Sequence, residues 1–303
     1  MRFVKMHGAG NDYIFIDART LDQDWPLLAR KMSDRHFGIG SDGLILLHKS
    51  NIGDIRMQMF NADGSEGEMC GNGIRCLVKF ALDRHLIENF EHGILSGPIN
   101  QNNISLTNVR VETLKGVLGV TPIFQHGEIT AARVAMGTPI MKPSEIPVKL
   151  EHLPQEAAPN RPIVDYPLQV NDTVFKLTFI SMGNPHAIAF INEEINEFPL
   201  EIIGPMIENH VLFPNRVNFE IVNVLDRNRV NMRVWERGSG ETLACGSGAA
   251  AATVAAHVKG MVGNQVDITL PGGTLRTEWD GHGEVYLEGP VEEVFEGEWR
   301  NLL

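Results

Sequence analysis

The sequence has few cysteines, no long apolar run and few basic residues, and each shortage excludes a class of protein. Three cysteines in 303 residues are too few, and odd in number, for a disulfide framework. No apolar run approaches the roughly 18 residues of a membrane-spanning helix. The N-terminus lacks the apolar core and small-residue cleavage site of a secretory signal. We therefore expect a cytoplasmic protein whose thiols are reduced.

The balance of charge argues against a nucleic-acid-binding protein. The chain has 26 basic and 38 acidic residues, a formal net charge of −12 and no run rich in lysine or arginine. With 43% hydrophobic and 21% charged residues, the composition is typical of a globular enzyme. A small-molecule substrate is therefore expected, with no nucleic-acid or membrane partner.

One stretch of sequence occurs twice in the chain. The copies are FNADGSEGEMCGNGIRCLVKFA at 60–81 and WERGSGETLACGSGAAAATVAA at 235–256. An ungapped alignment pairs Cys70 with Cys245 and also matches the glycines that follow them, which are Gly71, Gly73, Gly246 and Gly248. The dipeptides Gly10-Asn11 and Gly183-Asn184 precede the two copies at similar distances. Two halves with one plan indicate a site built symmetrically between them.

The hydrophobic patterns predict an α+β fold in two domains. Helical spacing covers 25–35, 73–86, 199–209 and 246–258, and most other patterned segments are strands. A proline-rich stretch at 139–167 separates the halves. We predict an N-terminal domain at 1–135 carrying Cys70 and a C-terminal domain at 136–289 carrying Cys245. A tail at 290–303 is expected to pack back on the first domain, and the polar stretch 88–104 to be a surface excursion.

A match to the dinucleotide fingerprint G-x-G-x-x-G occurs at 38–43. The fingerprint requires a preceding strand and a following helix. Here a helical pattern precedes it and the apolar run LILL follows, so we do not assign it a nucleotide.

Cys70 and Cys245 are both predicted at the start of a helix, where a thiolate is favoured. Helix N-termini carry unpaired N–H groups and the positive end of the helix dipole, which stabilise anions. One thiolate can remove an α-proton while the other thiol delivers a proton to the opposite face, which inverts the stereocentre. This two-base chemistry needs no metal and no cofactor. Cys76 has no counterpart in the second copy and is interpreted as a buried, inert thiol.

The motifs together resemble the diaminopimelate epimerase family of PLP-independent amino-acid epimerases. The matches run in family order through KMHGAGNDY, GIGSDG, FNADGSE, MCGNGIRC, SMGNPH, RVNFE, ERGSGETLACGSGAAA and LPGGTL, and they cover nearly the whole chain. The resemblance implies two pseudo-symmetric domains, each a β-barrel-like sheet wrapped around a central helix, with the active site in the cleft between them. It also implies a homodimer that interconverts LL- and meso-2,6-diaminopimelate for lysine and peptidoglycan precursor biosynthesis.

The resemblance also implies roles for individual residues. Cys70 and Cys245 form the acid–base pair, assisted by His186 and Glu236. The substrate is bound by the helix starts and by polar side chains elsewhere, which are Gly71, Asn72, Gly246, Ser247, Asn11, Asn61, Asn184, Asn218, Glu236 and Arg237. The chain departs from some family members at Gly43, where they carry a glutamine directed to the substrate.

Two alternative functions stay open at this point. A PLP-independent racemase of lysine or histidine would keep both cysteines, although the polar set Asn61, Asn218 and Arg237 suits a second amino-carboxylate end. A non-catalytic amino-acid-binding protein would need the helix starts but not the two thiols.

Overall fold

The computed structural model describes residues 1–67, 69–87, 108–149 and 162–300. The chain separates into two compact units, one of Met1–Val134 with Gly289–Leu303 and the other of Ala135–Glu288. The stretch 88–104, which the sequence marks as a surface excursion, lies outside the described residues.

The described residues contain eighteen strands and four α-helices. In chain order they are β1 (Arg2–Gly8), β2 (Asn11–Asp17), α1 (Trp25–Ser33), β3 (Gly43–His48), β4 (Ile55–Asn61), β5 (Glu66–Gly67), α2 (Gly71–Asp83), β6 (Val109–Thr113), β7 (Gly116–Gln125), β8 (Glu128–Ala135), β9 (Tyr166–Val170), β10 (Thr173–Ser181), β11 (Pro185–Phe190), α3 (Leu200–Glu208), β12 (Asn218–Val224), β13 (Arg229–Glu236), β14 (Gly240–Thr242), α4 (Gly246–Val258), β15 (Gln265–Leu270), β16 (Gly273–Glu278), β17 (Tyr286–Pro290) and β18 (Glu292–Glu298). Many strands with few helices confirm the predicted α+β class.

The first unit is built on a mixed sheet with the strand order β18, β1, β2, β3, β4, β6, β7, β8. The β2–β3 and β4–β6 neighbours are parallel, and the other neighbours are antiparallel. β5 forms a short hairpin with β4. The first strand of the sequence therefore lies between its successor β2 and the distant β18.

The second unit follows the same plan with the order β9, β10, β11, β12, β13, β15, β16, β17. Its parallel neighbours are β11–β12 and β13–β15, and β14 forms the hairpin with β13. In each unit one helix connects the first parallel pair and a second helix connects the second pair. In the second unit β9 pairs with β10. In the first unit the equivalent position beside β1 is occupied by β18.

The helices after the two cysteines are buried on nearly all sides. In α2 the buried positions include Ile74, Leu77, Val78 and Phe80, and the helix packs against β1, β2, β3 and β7. α4 is rich in alanine and packs against β10, β11, β12 and β16. A helix that is apolar all round is stable only when protein surrounds it. This burial positions the start of each helix rigidly against its sheet.

Strand alternation sends alternate side chains to the two helices of each unit. In β2, Ile14 and Ile16 join the core cluster beneath α1, whereas the ring of Phe15 contacts Phe80 of α2. In the second unit, Phe219 and Ile221 of β12 belong to the cluster that also contains residues of α3. The intervening side chains of the same strands face the cysteine-bearing helices.

The segment that matches G-x-G-x-x-G lies between α1 and β3, as the sequence indicated, without the strand and helix of a nucleotide site. Its one charged side chain, Asp42, takes part in an ion-pair network. Arg35 donates to both oxygens of Asp12 and to Asp42, and Lys5 pairs with Asp12. The motif therefore ties the start of β2 to the loop before β3.

Candidate active site

Cys70 is the N-cap of α2. Its backbone is extended (φ −127°, ψ 120°), and its Sγ accepts a hydrogen bond from the Gly73 N–H at 3.4 Å. A Cβ on Gly73 would lie 2.4 Å from the Ile45 side chain, so glycine allows the helix start to approach β3. The thiol is half-buried. It thus occupies the position where the helix end favours an anion.

Two further contacts define the surroundings of Cys70. The Tyr13 hydroxyl lies 3.1 Å from the sulfur. The Asn72 side-chain amide donates to Asn11 Oδ1 at 3.0 Å, which brings together two residues that the sequence assigned to substrate binding. The first unit therefore presents a thiol, a phenol and two coupled amides on one face.

Arg75 is a fully buried residue behind this face. Its guanidinium donates to the Gly71 carbonyl at 3.1 Å and to Asn72 Oδ1 at 2.9 Å. Burial lowers the pKa of Arg75, and attraction to the Cys76 and Cys70 thiols opposes that shift. Burial also raises the pKa of Cys76 to about 12, which fits the inert thiol that the sequence predicted.

Cys245 caps α4 in the same way as Cys70 caps α2. Its backbone is extended (φ −124°, ψ 112°), and its Sγ accepts from the Gly248 N–H at 3.3 Å. The hydroxyl of Ser247 lies 3.5 Å from the sulfur. A Cβ on Gly248 would lie 2.8 Å from Glu220 Oε1, so this carboxyl also borders the helix start.

A chain of polar contacts connects the Cys245 helix to the buried strands. Asn184 donates to the Ser247 hydroxyl at 3.2 Å, and its Oδ1 lies 3.1 Å from His186 Nε2. His186 Nδ1 lies 2.6 Å from Glu220 Oε1, and both of these side chains are completely buried. The structure therefore brings together Asn184, His186, Ser247 and Cys245, four of the predicted site residues.

Glu236 also belongs to this group. Thr242 donates to Glu236 Oε1 at 2.5 Å. Burial raises the pKa of Glu236, and hydrogen bonds from Thr242 and Cys245 partly offset the shift. For Cys245, burial raises the pKa well above its ordinary value, and the Glu236 and Glu220 carboxylates raise it further. Cys245 is therefore a protonated thiol near neutral pH.

The remaining predicted residues of the second unit support a neighbouring segment. Asn218 is buried, and its Oδ1 accepts from the backbone N–H of Arg237 at 2.9 Å. The Arg237 guanidinium is exposed and donates to the Asn215 carbonyl at 3.3 Å. Glu208 holds the same segment by accepting from the Gly238 N–H at 2.8 Å. Asn218 thus acts on the placement of Arg237.

Two further positions of the first unit, Asn61 and Gly43, lie on β4 and β3. Asn61 is the exposed last residue of β4, where its amide donates to the Ser65 hydroxyl at 2.9 Å. A Cβ on Gly43 would lie 2.3 Å from the Phe60 carbonyl oxygen. The close approach of β3 to β4 therefore requires glycine at 43.

Sequence reasoning did not single out Tyr13, Arg75, Glu220 or Thr242. A signal was present for two of them, because side chains two residues apart on a strand share a face. Tyr13 follows Asn11 by two residues, and Glu220 follows Asn218 by two. Arg75 and Thr242 are visible only once the helix start and the β13–β14 hairpin are folded.

Within the described ranges, no group of three or more His, Cys, Asp or Glu side chains could hold a metal ion. No helix in the part of the chain that the structure describes is long and apolar enough to cross a membrane.

Comparison with known proteins identifies the same family as the sequence motifs. The sequence profile of diaminopimelate epimerase matches residues 3–142 and 178–294. A diaminopimelate epimerase from Acetivibrio thermocellus is 46% identical over 300 residues, covering 98% of each chain. A diaminopimelate epimerase from Methanococcus maripaludis is 44% identical over 300 residues, covering 98% of this chain and 99% of the relative.

Solved structures share the fold at low sequence identity. A probable proline racemase from Agrobacterium radiobacter aligns with a TM-score of 0.69 at 14% identity, covering 99% of this chain and 93% of that one. A phenazine biosynthesis protein of the PhzF family from Bacillus anthracis aligns with a TM-score of 0.68 at 16% identity and covers 99% of both chains. These similarities confirm the predicted fold.

Proposed function

The chain belongs to the diaminopimelate epimerase family, and from this premise we propose that it interconverts LL- and meso-2,6-diaminopimelate by proton transfer between Cys70 and Cys245. The supporting observation is the pair of matched caps: each sulfur accepts from the N–H three residues later at the start of a buried helix. Lysine biosynthesis is the role that this reaction fits.

The reaction needs one base and one acid at a single α-carbon. Because its pKa is raised well above the ordinary value, Cys245 is the thiol that can donate. Cys70 then takes the α-proton as a thiolate, and the roles are exchanged in the reverse direction. No cofactor enters this scheme.

The helix starts supply the stabilisation that the carbanion requires. Removing the α-proton places negative charge on the substrate carboxylate, and helix N-termini stabilise such charge. Gly71, Asn72, Gly246 and Ser247 are at these positions. We assign them to the reacting carboxylate and amine, and Asn11 and Asn184 to the same end of the substrate.

The distal end of diaminopimelate carries a second amino-carboxylate group. Arg237 is exposed and can bind a carboxylate in bidentate fashion. Asn218 fixes the backbone at Arg237, and we assign both to the distal end together with Asn61. His186 and Glu236 assist by ordering the groups around Cys245.

The test is α-proton exchange in heavy water under reducing conditions, with LL-diaminopimelate, lysine and histidine as separate substrates. Deuterium should enter diaminopimelate only, and Cys70→Ala and Cys245→Ala should each lower the exchange at least about a hundredfold. Exchange with lysine or histidine alone would identify another racemase. Binding without exchange by the unaltered protein would identify an amino-acid-binding protein.

We also propose a cytoplasmic homodimer. All three cysteines are free thiols, as an enzyme of a reducing compartment requires. The dimer rests on the family resemblance. Light scattering of the purified chain would test the dimer, and a monomer at working concentration would refute it. Cell fractionation would test the location.

A further inference from the structure

Arg75 is a buried charge without the partner that such a charge usually has. Its side chain is fully buried in α2, and within the described ranges its Nε has no hydrogen-bond partner. Among the described residues, no carboxylate pairs with it. Buried arginines are normally paired, because an uncompensated charge is expensive to remove from water. A purely structural role would be served better by an apolar side chain.

The hydrogen bonds of Arg75 fix the orientation of the Asn72 side chain. Arg75 Nη2 donates to Asn72 Oδ1 at 2.9 Å, so the amide nitrogen of Asn72 is directed to Asn11 Oδ1 at 3.0 Å. An amide can otherwise rotate and exchange its oxygen and nitrogen with little change in shape. The chain from Arg75 through Asn72 to Asn11 therefore orients both amides beside the thiol.

The guanidinium of Arg75 lies at the start of α2, because its Nη1 donates at 3.1 Å to the carbonyl of Gly71, which follows Cys70 in the chain. Burial lowers the pKa of Arg75, whereas attraction to the Cys76 and Cys70 thiols acts to raise it. Near Cys70 lie the Tyr13 hydroxyl from β2, at 3.1 Å from the sulfur, and Cys76 from α2. Cys76 stays protonated because its pKa is about 12. A thiolate at Cys70 is an anion that can compensate the guanidinium.

The second unit has the opposite charge environment at its matching thiol. The residue aligned with Arg75 is Ala250, which is buried in α4. Cys245 faces the carboxyl groups of Glu236 and Glu220 instead. The repeat therefore pairs one thiol with a buried cation and the other with buried acids.

We propose that Arg75 is a positioning residue for the reaction: it orients the Asn72–Asn11 amide pair and supplies the positive charge that holds Cys70 as a thiolate in the resting enzyme. The proposal rests on the proposed role of Cys70 as the base. A cation within the protein stabilises a nearby anion more strongly than in water, because the local dielectric constant is lower.

The experiment uses the full chain with Cys76→Ala and Cys245→Ser, so that Cys70 is the one remaining thiol. The rate of alkylation by iodoacetamide is measured against pH. Arg75→Met should lower the rate near neutral pH by about tenfold or more and move the profile to higher pH by about one unit. An unchanged profile in folded Arg75→Met would overturn the proposal.

Arg75→Lys separates the two parts of the role. Lysine keeps the charge but loses the planar fork that bonds two acceptors at once. With all three cysteines present, Arg75→Lys should raise KM for diaminopimelate, while its Cys70 alkylation profile stays close to that of the parent. A KM equal to that of the parent would refute the amide-orienting part of the proposal.

Two controls keep the result interpretable. In a Cys70→Ser, Cys76→Ala chain, the ultraviolet absorbance of the Cys245 thiolate should titrate identically with and without Arg75→Met. If Arg75→Met does not fold, the parent profiles decide: Cys70 must ionise at lower pH than Cys245, and the reverse order would overturn the proposal. The alkylation rate does not depend on turnover, so it tests the role of Arg75 separately from the proposed function. The proposed function would be refuted by a different result, a Cys70→Ala enzyme that kept its exchange activity.

Discussion

Replacing Gly248 by alanine should impair both the stability of the second unit and its chemistry. The added Cβ would lie 2.8 Å from Glu220 Oε1 and 3.3 Å from the Cys245 sulfur. Real Cβ atoms essentially never approach another heavy atom to less than 3.0 Å. Glu220 must therefore move, although it is completely buried and lies 2.6 Å from His186 Nδ1.

The size of the effect follows from two opposing contributions. Overpacking a buried site costs about 1–3 kcal/mol. Alanine in place of glycine stabilises a helix by about 0.5–1 kcal/mol, which opposes that loss. We expect a net loss of about 1–2 kcal/mol, which lowers the melting temperature by about 2–4 °C per kcal/mol for a unit of this size.

Activity should fall more steeply than stability. The alanine also disturbs the Gly248 N–H, which donates to Cys245 Sγ at 3.3 Å. Since a displacement of about 1 Å can lower a rate about a hundredfold, we expect at least a tenfold fall in kcat. The assays are calorimetric melting and deuterium exchange into diaminopimelate. Gly263→Ala, where the nearest atom to the new Cβ is 3.6 Å away, is the matched control. A Gly248→Ala enzyme with the kcat and melting temperature of the parent would refute the reasoning.

Three other substitutions test separate parts of the structure. Cys76→Ala should keep exchange activity within about twofold and lower the unfolding free energy by about 1 kcal/mol, because the thiol is buried and protonated; a loss like that of Cys70→Ala would contradict this. Glu236 binds its proton more tightly in the folded state, so its contribution to the free energy of unfolding falls as pH rises above about 4.5. Glu236→Gln should remove that pH dependence, measured by urea unfolding. Parallel curves of unfolding free energy against pH for parent and variant would contradict this. Glu208→Ala leaves the Trp235 Nε1 and Gly238 N–H donors without an acceptor, which should lower the free energy of unfolding by about 2–3 kcal/mol. It should also raise KM, because the segment that carries Arg237 is displaced. An unchanged KM would show that this segment does not contact substrate.

The sequence was most informative where the chemistry lies at the ends of periodic elements. The helix expected from 246 to 258 is α4 with the same bounds, and the predicted helix at 73–86 begins two residues earlier at Gly71 and ends at Asp83. Both cysteines could be predicted as N-caps, because the spacing of the glycines and the apolar run that follows mark the start of a helix. The pattern EITAARVA alternates only weakly, so it does not predict the strand Glu128–Ala135.

Side-chain partners were harder to predict than elements. The pairing of His186 with Glu220 depends on β11 and β12 being parallel neighbours, which no local pattern reveals. Burial of Arg75 without a carboxylate partner in the described part of the chain is likewise a property of the packed sheet, since an arginine on a helix is ordinarily expected at the surface.

The pairing of β18 with β1 has a consequence for how the protein folds during its synthesis. All strands of the second unit come from one continuous stretch, so that unit can fold as soon as it leaves the ribosome. The first unit is synthesised earlier, yet β1 has only β2 as a neighbour until residues 292–298 emerge. At about 5–20 residues per second, an open strand edge persists for roughly 15–60 seconds. Nascent chains in that interval expose a β-edge that other chains can pair with, so chaperone demand should be greatest before the final strand is complete.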